Sequence, residues 1–123
     1  MTSIAEIKEQ ESLYNLKQLH EIASGNQDFI VSLAKIYLDT IPANSTEMVE
    51  ASERADWDKV SKLAHKLKST IDTMNISSIQ TDIRRLEVDA KNKVNTVTLP
   101  MIAAKVDDII KQVAVLLKEE FAL

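Results

Sequence analysis

The stretch AHKLKST, residues 64–70, sets His65 one turn of helix from Lys68 and beside Lys66. An α-helix advances about 100° per residue, so residues three and four apart share a face. Trp57, Val60, Ala64, Leu67, Ile71 and Met74 make one such apolar face. His65 points roughly 140° away from its middle, into water. Ser61, Lys62, Lys68, Ser69 and Asp72 fall within roughly 60° of it on the same wheel. In the next segment, Gln80, Arg84, Glu87 and Lys91 line up along one flank of another apolar stripe. If the two segments are antiparallel helices joined near Asn75, His65 lies ten residues before the turn and Glu87 twelve after it, so the two come level. A carboxylate hydrogen-bonded to one imidazole nitrogen fixes the tautomer and leaves the other nitrogen free, which makes a held nucleophile. The plainer alternative is a solvated histidine beside an ordinary charged helix face, and that is how His20 is read.

The elements that must position this pair follow from composition and spacing. A chain of 123 residues forms one domain, over residues 1–123, with enough length to bury a hydrophobic core. One glycine and two prolines leave few turns, and the apolar spacing is helical nearly throughout, so the class is all-α. Leu13, Leu16, Leu19 and Ile22 mark a short first helix, with Asn15 as a cap, Gln18 reaching back to it, and Gly25 and Asn26 at its end. Ile30, Leu33, Tyr37, Ile41, Asn44, Met48 and Ala51 keep one phase across Pro42, which predicts a single kinked helix over about 27–53 rather than a restart capped by Thr40. Asp56 caps a third helix, and Asn75 closes it in the left-handed conformation. A fourth turns Ile79, Ile83, Leu86 and Ala90 inward. After the connector KNKVNTVT, Thr98 caps a last helix with Pro100 in its first turn and Ile102, Val106, Ile109, Val113 and Leu116 as its stripe. The expected architecture is an up-and-down four-helix bundle with an additional short N-terminal helix.

Other features narrow the function. There is no cysteine, so neither disulfides nor cysteine-ligated metal hold the chain together. The opening MTSIAEIKEQ is charged, unlike a secretory leader, and no apolar run reaches the length of a membrane span. A soluble cytoplasmic protein without membrane association is expected. The formal net charge of −4 disfavours binding to nucleic acid. One glycine cannot build a phosphate-cradling loop, so the chain is not expected to use ATP by itself. With two histidines and no Glu-x-x-His pair, a metal-dependent hydrolase is poorly supported and no metal ligands are assigned.

The run HKLKSTIDTMN, with His65, Leu67 and Lys68 in register, resembles the histidine-containing phosphotransfer domains of two-component phosphorelays. ADWDKVSKLAHKLK is similar to the family's lead-in, LYNLKQLHEIASGNQDFI to its N-terminal portion, and the LE pair ends in Glu87, where members carry a glutamate or glutamine that contacts the histidine. The motif region covers residues 57–90. The resemblance implies that His65 accepts a phosphoryl group from a receiver-domain phosphoaspartate and passes it to another response regulator. Glu87 would orient the imidazole and Lys68 would supply charge near the phosphoryl oxygens. Ser61, Lys62, Ser69, Asp72 and Arg84 would face the partner. Partners would be receiver domains of response regulators and of hybrid histidine kinases. The chain would need no cofactor, with magnesium held by the receiver, and would act as a monomer. Two positions depart from the family pattern: Ser69 and Asn75 stand where glycine is frequent. The rival reading is a helical-bundle adaptor that binds signalling partners without phosphotransfer.

Overall fold

The computed structural model describes residues 12–123, and the chain there is all helical, with no strand among the described residues. Helix α1 spans Lys17–Ile22, α2 Gln27–Glu53, α3 Trp57–Thr73, α4 Gln80–Asn92 and α5 Leu99–Phe121, and a 3-10 turn over Ser77–Ile79 leads into α4. α3 packs along α4 and α2 along α5, while α2 also meets α3 and α4 meets α5. The four longer helices thus contact one another in a closed ring, with α1 against α2. Among the described residues no helix is long and apolar enough to cross a membrane.

Local chemistry explains the helix boundaries. The Asn26 side chain accepts from the Phe29 amide at 3.1 Å and opens α2, and Asp56 accepts from the Lys59 amide at 3.3 Å and opens α3. α2 runs unbroken through Pro42, and the Thr40 hydroxyl donates back to the Ile36 carbonyl at 2.8 Å, so Thr40 caps no restart. All five helices close the same way, each with a residue at positive φ: Ser24 at 52°, Ala55 at 56°, Asn75 at 51°, Lys93 at 55° and Ala122 at 54°. In each case the amide after it reaches back five residues, Gly25 to His20, Asp56 to Ala51, Ile76 to Ile71, Val94 to Asp89 and Leu123 to Lys118, satisfying carbonyls the helix leaves open.

Three expectations for the ends of the chain are corrected. Asn15 does not cap α1; Leu16 holds that position without a side-chain bond, no Gln18 bond reaches back, and Asn15 Oδ1 accepts from the Lys17 amide at 2.8 Å in a local turn. The backbone of Asn15 is instead committed to the end of α3: its amide donates to the Met74 carbonyl at 2.8 Å and its carbonyl accepts from Asn75 Nδ2 at 3.3 Å. Thr98 precedes α5 but gives it no side-chain cap; it has an αR backbone, and its hydroxyl donates to the Asn95 carbonyl at 2.9 Å. The buried stripe of α5 is Leu99, Ala103, Val106, Ile110, Val113 and Leu117, rotated from the expected one so that Ile102, Ile109 and Leu116 lie at its border. Both stripes are apolar and share Val106 and Val113, so periodicity alone leaves the face undecided.

Two further expectations shift: Ile22 of the first stripe is exposed, and in α2 Ala34 and Ser45 are buried while Leu33 and Asn44 are only half-buried; the stripes of α3 and α4 hold. Val60, Ala64, Leu67 and Ile71 of α3 and Ile83, Leu86 and Ala90 of α4 are fully buried, and Trp57 is half-buried. Each large side chain removed from water here contributes about 1.5–3 kcal/mol. This apolar seam holds α3 and α4 together and presents their polar flanks side by side.

Candidate functional site

Ser61, His65 and Lys68 follow one another at spacings of four and three, so they share one strip of α3. All three end on a single residue of α4. The imidazole Nδ1 of His65 lies 3.1 Å from Glu87 Oε1. The Lys68 ammonium donates to Oε1 at 3.2 Å and sits 2.8 Å from Oε2, an ionic contact without the alignment of a hydrogen bond. The Ser61 hydroxyl donates to the Glu87 main-chain carbonyl at 2.8 Å. The His65 side chain is 71% exposed, whereas Lys68 is 30% and Glu87 only 20% exposed, so the carboxylate forms the covered floor and the imidazole the open top.

The electrostatics fix the ring. The hydrogen bond from Lys68 holds the Glu87 carboxyl below the usual glutamate range; burial opposes this, and His65 adds to it. An ionised carboxylate only accepts, so Nδ1 must carry the proton that lies between ring and oxygen. The neutral ring then has its lone pair on Nε2, which meets no hydrogen-bond partner among the described residues. An outward-facing imidazole lone pair, held in direction by a covered anion, is a nucleophile.

The other predicted residues fall into separate environments. Lys62 and Lys66 are exposed and, with Lys91 and Asp58, line an open groove of about 670 Å³ that includes His65, Ser61 and Glu87. Asp72 and Arg84 are engaged with each other: the guanidinium donates to the two carboxylate oxygens at 3.0 and 2.6 Å and to the Gln80 carbonyl at 3.0 Å. They clasp the same seam farther toward the α3–α4 turn. Ser69 is exposed but borders a different, apolar groove with Leu33, Ile36, Tyr37 and Thr70. Sequence reasoning placed Ser61 toward a partner and missed its bond to Glu87; the strip formed by residues 61, 65 and 68 was the available signal. Lys91 in the groove was visible as part of the α4 line. Among the described residues no three His, Asp or Glu side chains gather as metal ligands.

Compared with protein-family models, curated proteins and solved structures, the chain matches none.

Proposed function

We propose that the chain is a histidine phosphotransfer protein: His65 accepts a phosphoryl group from a receiver-domain phosphoaspartate and passes it to another response regulator. The observation that carries this reading is the His65–Glu87 pair, with Nδ1 held at 3.1 Å by a covered carboxylate and Nε2 turned to solvent. Part of the support is the resemblance of residues 57–90 to that family. The same reading takes the ring of helices as an up-and-down four-helix bundle with a short N-terminal helix, acting as a cytoplasmic monomer.

The step makes few demands on this protein. With Nδ1 carrying the proton toward Glu87, the neutral ring already has its lone pair on Nε2, so no base is needed to ready it. Its lone pair forms the P–N bond as the bond between phosphorus and the aspartyl oxygen breaks, and that bond's electrons leave on the partner's carboxylate. Nδ1 keeps its proton, and the positive charge gained by the ring is met by Glu87. Passing the group onward is the reverse step toward a second aspartate. Lys68, one turn from His65, supplies positive charge near the transferring oxygens, and the metal ion belongs to the receiver. Exposure of His65 suits docking to successive partners, and Lys62, Lys66 and Lys91 offer an electropositive rim to an acidic surface.

The test is transfer from a panel of phosphorylated receiver domains to the wild type and to His65→Ala, mapping the acid-labile phosphate. Labelling at His65 that vanishes in the variant supports the proposal. No labelling from any receiver, with the protein folded, rejects it in favour of the adaptor.

A further inference from the structure

A serine within a helix ordinarily gives its hydroxyl proton to a carbonyl three or four residues back on its own helix. Thr40, Ser52 and Thr73 do this, donating to Ile36, Val49 and Ser69 at 2.8, 2.7 and 2.8 Å. Ser61 does not. Its hydroxyl crosses the seam to the Glu87 carbonyl at 2.8 Å. A helical carbonyl already serves the amide four residues on and has a second lone pair to offer. Glu87 is therefore gripped twice from one strip of α3: at its main chain by Ser61 and at its carboxylate by His65 and Lys68.

The two grips do different work. The apolar contacts that join α3 to α4 are non-directional, so they tolerate small sliding of one helix along the other. A glutamate side chain has several rotatable bonds and follows its backbone wherever the helix carries it. A directional bond to the Glu87 backbone, one turn from His65, fixes the height of that residue against the imidazole. We propose that Ser61 is a positioning residue, whose bond to the Glu87 main chain holds the carboxylate in register with His65 Nδ1 and so keeps Nε2 as the bare nitrogen. Its value to phosphoryl transfer rests on the function proposed above, but its action on the imidazole does not.

The experiment measures the imidazole ¹⁵N shifts of His65 at pH 8 in the full chain, for wild type, Ser61→Ala and Ser61→Thr, with thermal melts alongside. The wild type is expected to hold the proton on Nδ1. Ser61→Ala should shift the population toward the Nε2–H tautomer, and Ser61→Thr, which keeps the hydroxyl, should restore it. In the same series, transfer to His65 should fall about three- to tenfold in Ser61→Ala, the scale of a modest misplacement, and recover in Ser61→Thr. A tautomer population in Ser61→Ala equal to that of the wild type overturns the proposal, whatever happens to the melting temperature. Absence of transfer in the wild type, together with a tautomer shift in Ser61→Ala, rejects the phosphotransfer reading and leaves the role of Ser61 standing.

Discussion

In the seam between α2 and α5, the hydroxyl of the fully buried Ser45 donates to Asp107, whose other oxygen takes Lys111 Nζ at 2.9 Å from one turn along the same helix. In the seam between α3 and α4, a serine, a carboxylate and a lysine again meet, as Ser61, Glu87 and Lys68. The ingredients match, but their consequences differ. Asp107 receives a hydroxyl and an ammonium, and that cluster has no nucleophilic nitrogen. Glu87 receives an ammonium and an imidazole, and the imidazole has a second nitrogen directed at solvent. A polar cluster that otherwise only fastens two helices gains chemistry when one donor to its carboxylate is a ring with an exposed far side.

Removing the carboxylate from each seam should separate the two roles. Asp107→Ala leaves the buried Ser45 hydroxyl without its acceptor and should cost about 1–3 kcal/mol in urea unfolding, with transfer to His65 unchanged in the folded protein. Glu87→Ala releases the ring and should lower transfer about tenfold or more, through lost orientation of the nucleophile. Equal losses of transfer in the two variants would show that the seams are not functionally separate.

Acid should weaken the α3–α4 seam through Glu87. Lys68 and His65 hold the Glu87 carboxyl below its usual range, whereas an unfolded glutamate titrates near about 4.3. The unfolded chain therefore binds a proton at Glu87 before the folded one does. Its stabilising contribution is fully present above the unfolded value and is lost as pH falls through the lower, folded value. Urea midpoints measured from pH 6 down to pH 3 should show a loss of stability in the wild type that is shallower in Glu87→Ala. Curves of the same slope would mean that the carboxylate is no better held in the folded state than in the unfolded one.

The parts of this comparison legible in the sequence are those that depend on spacing along one helix or on counting from a turn. The outward direction of His65 followed from Ala64, Leu67 and Ile71, and the level of Glu87 followed from similar distances, ten and twelve residues, about Asn75. Whether a hydroxyl folds back or crosses a seam depends on the local height of the neighbouring helix, which no pattern within one helix encodes; Ser61 and Ser45 were illegible for that reason. The same limit explains the pairing of Asp72 with Arg84, two charges on different helices that sequence reasoning had assigned to a partner. α5 failed differently: Ile102, Ile109 and Leu116 stand beside Ala103, Ile110 and Leu117, and only packing chooses between adjacent apolar rows.

The turns that join the helices were legible only where the residue type gave them away. Asn75 announces a left-handed position, but Ala55 and Lys93 occupy the same conformation without any such signal. For alanine that conformation places Cβ against the following carbonyl, a strain of about 1–2 kcal/mol that glycine escapes. Glycine also gains freedom in the unfolded chain, which offsets about 0.4–1 kcal/mol of the relief. Ala55→Gly should therefore stabilise the fold by a net of about 0.5–1 kcal/mol and raise the melting temperature by about 2–4 °C. Ala55 lies at the turn between α2 and α3, outside both polar clusters, so transfer to His65 should not change. A stabilised variant with altered transfer would show that the α2–α3 turn communicates with the His65–Glu87 pair, and the two seams would then have to be treated as one coupled unit.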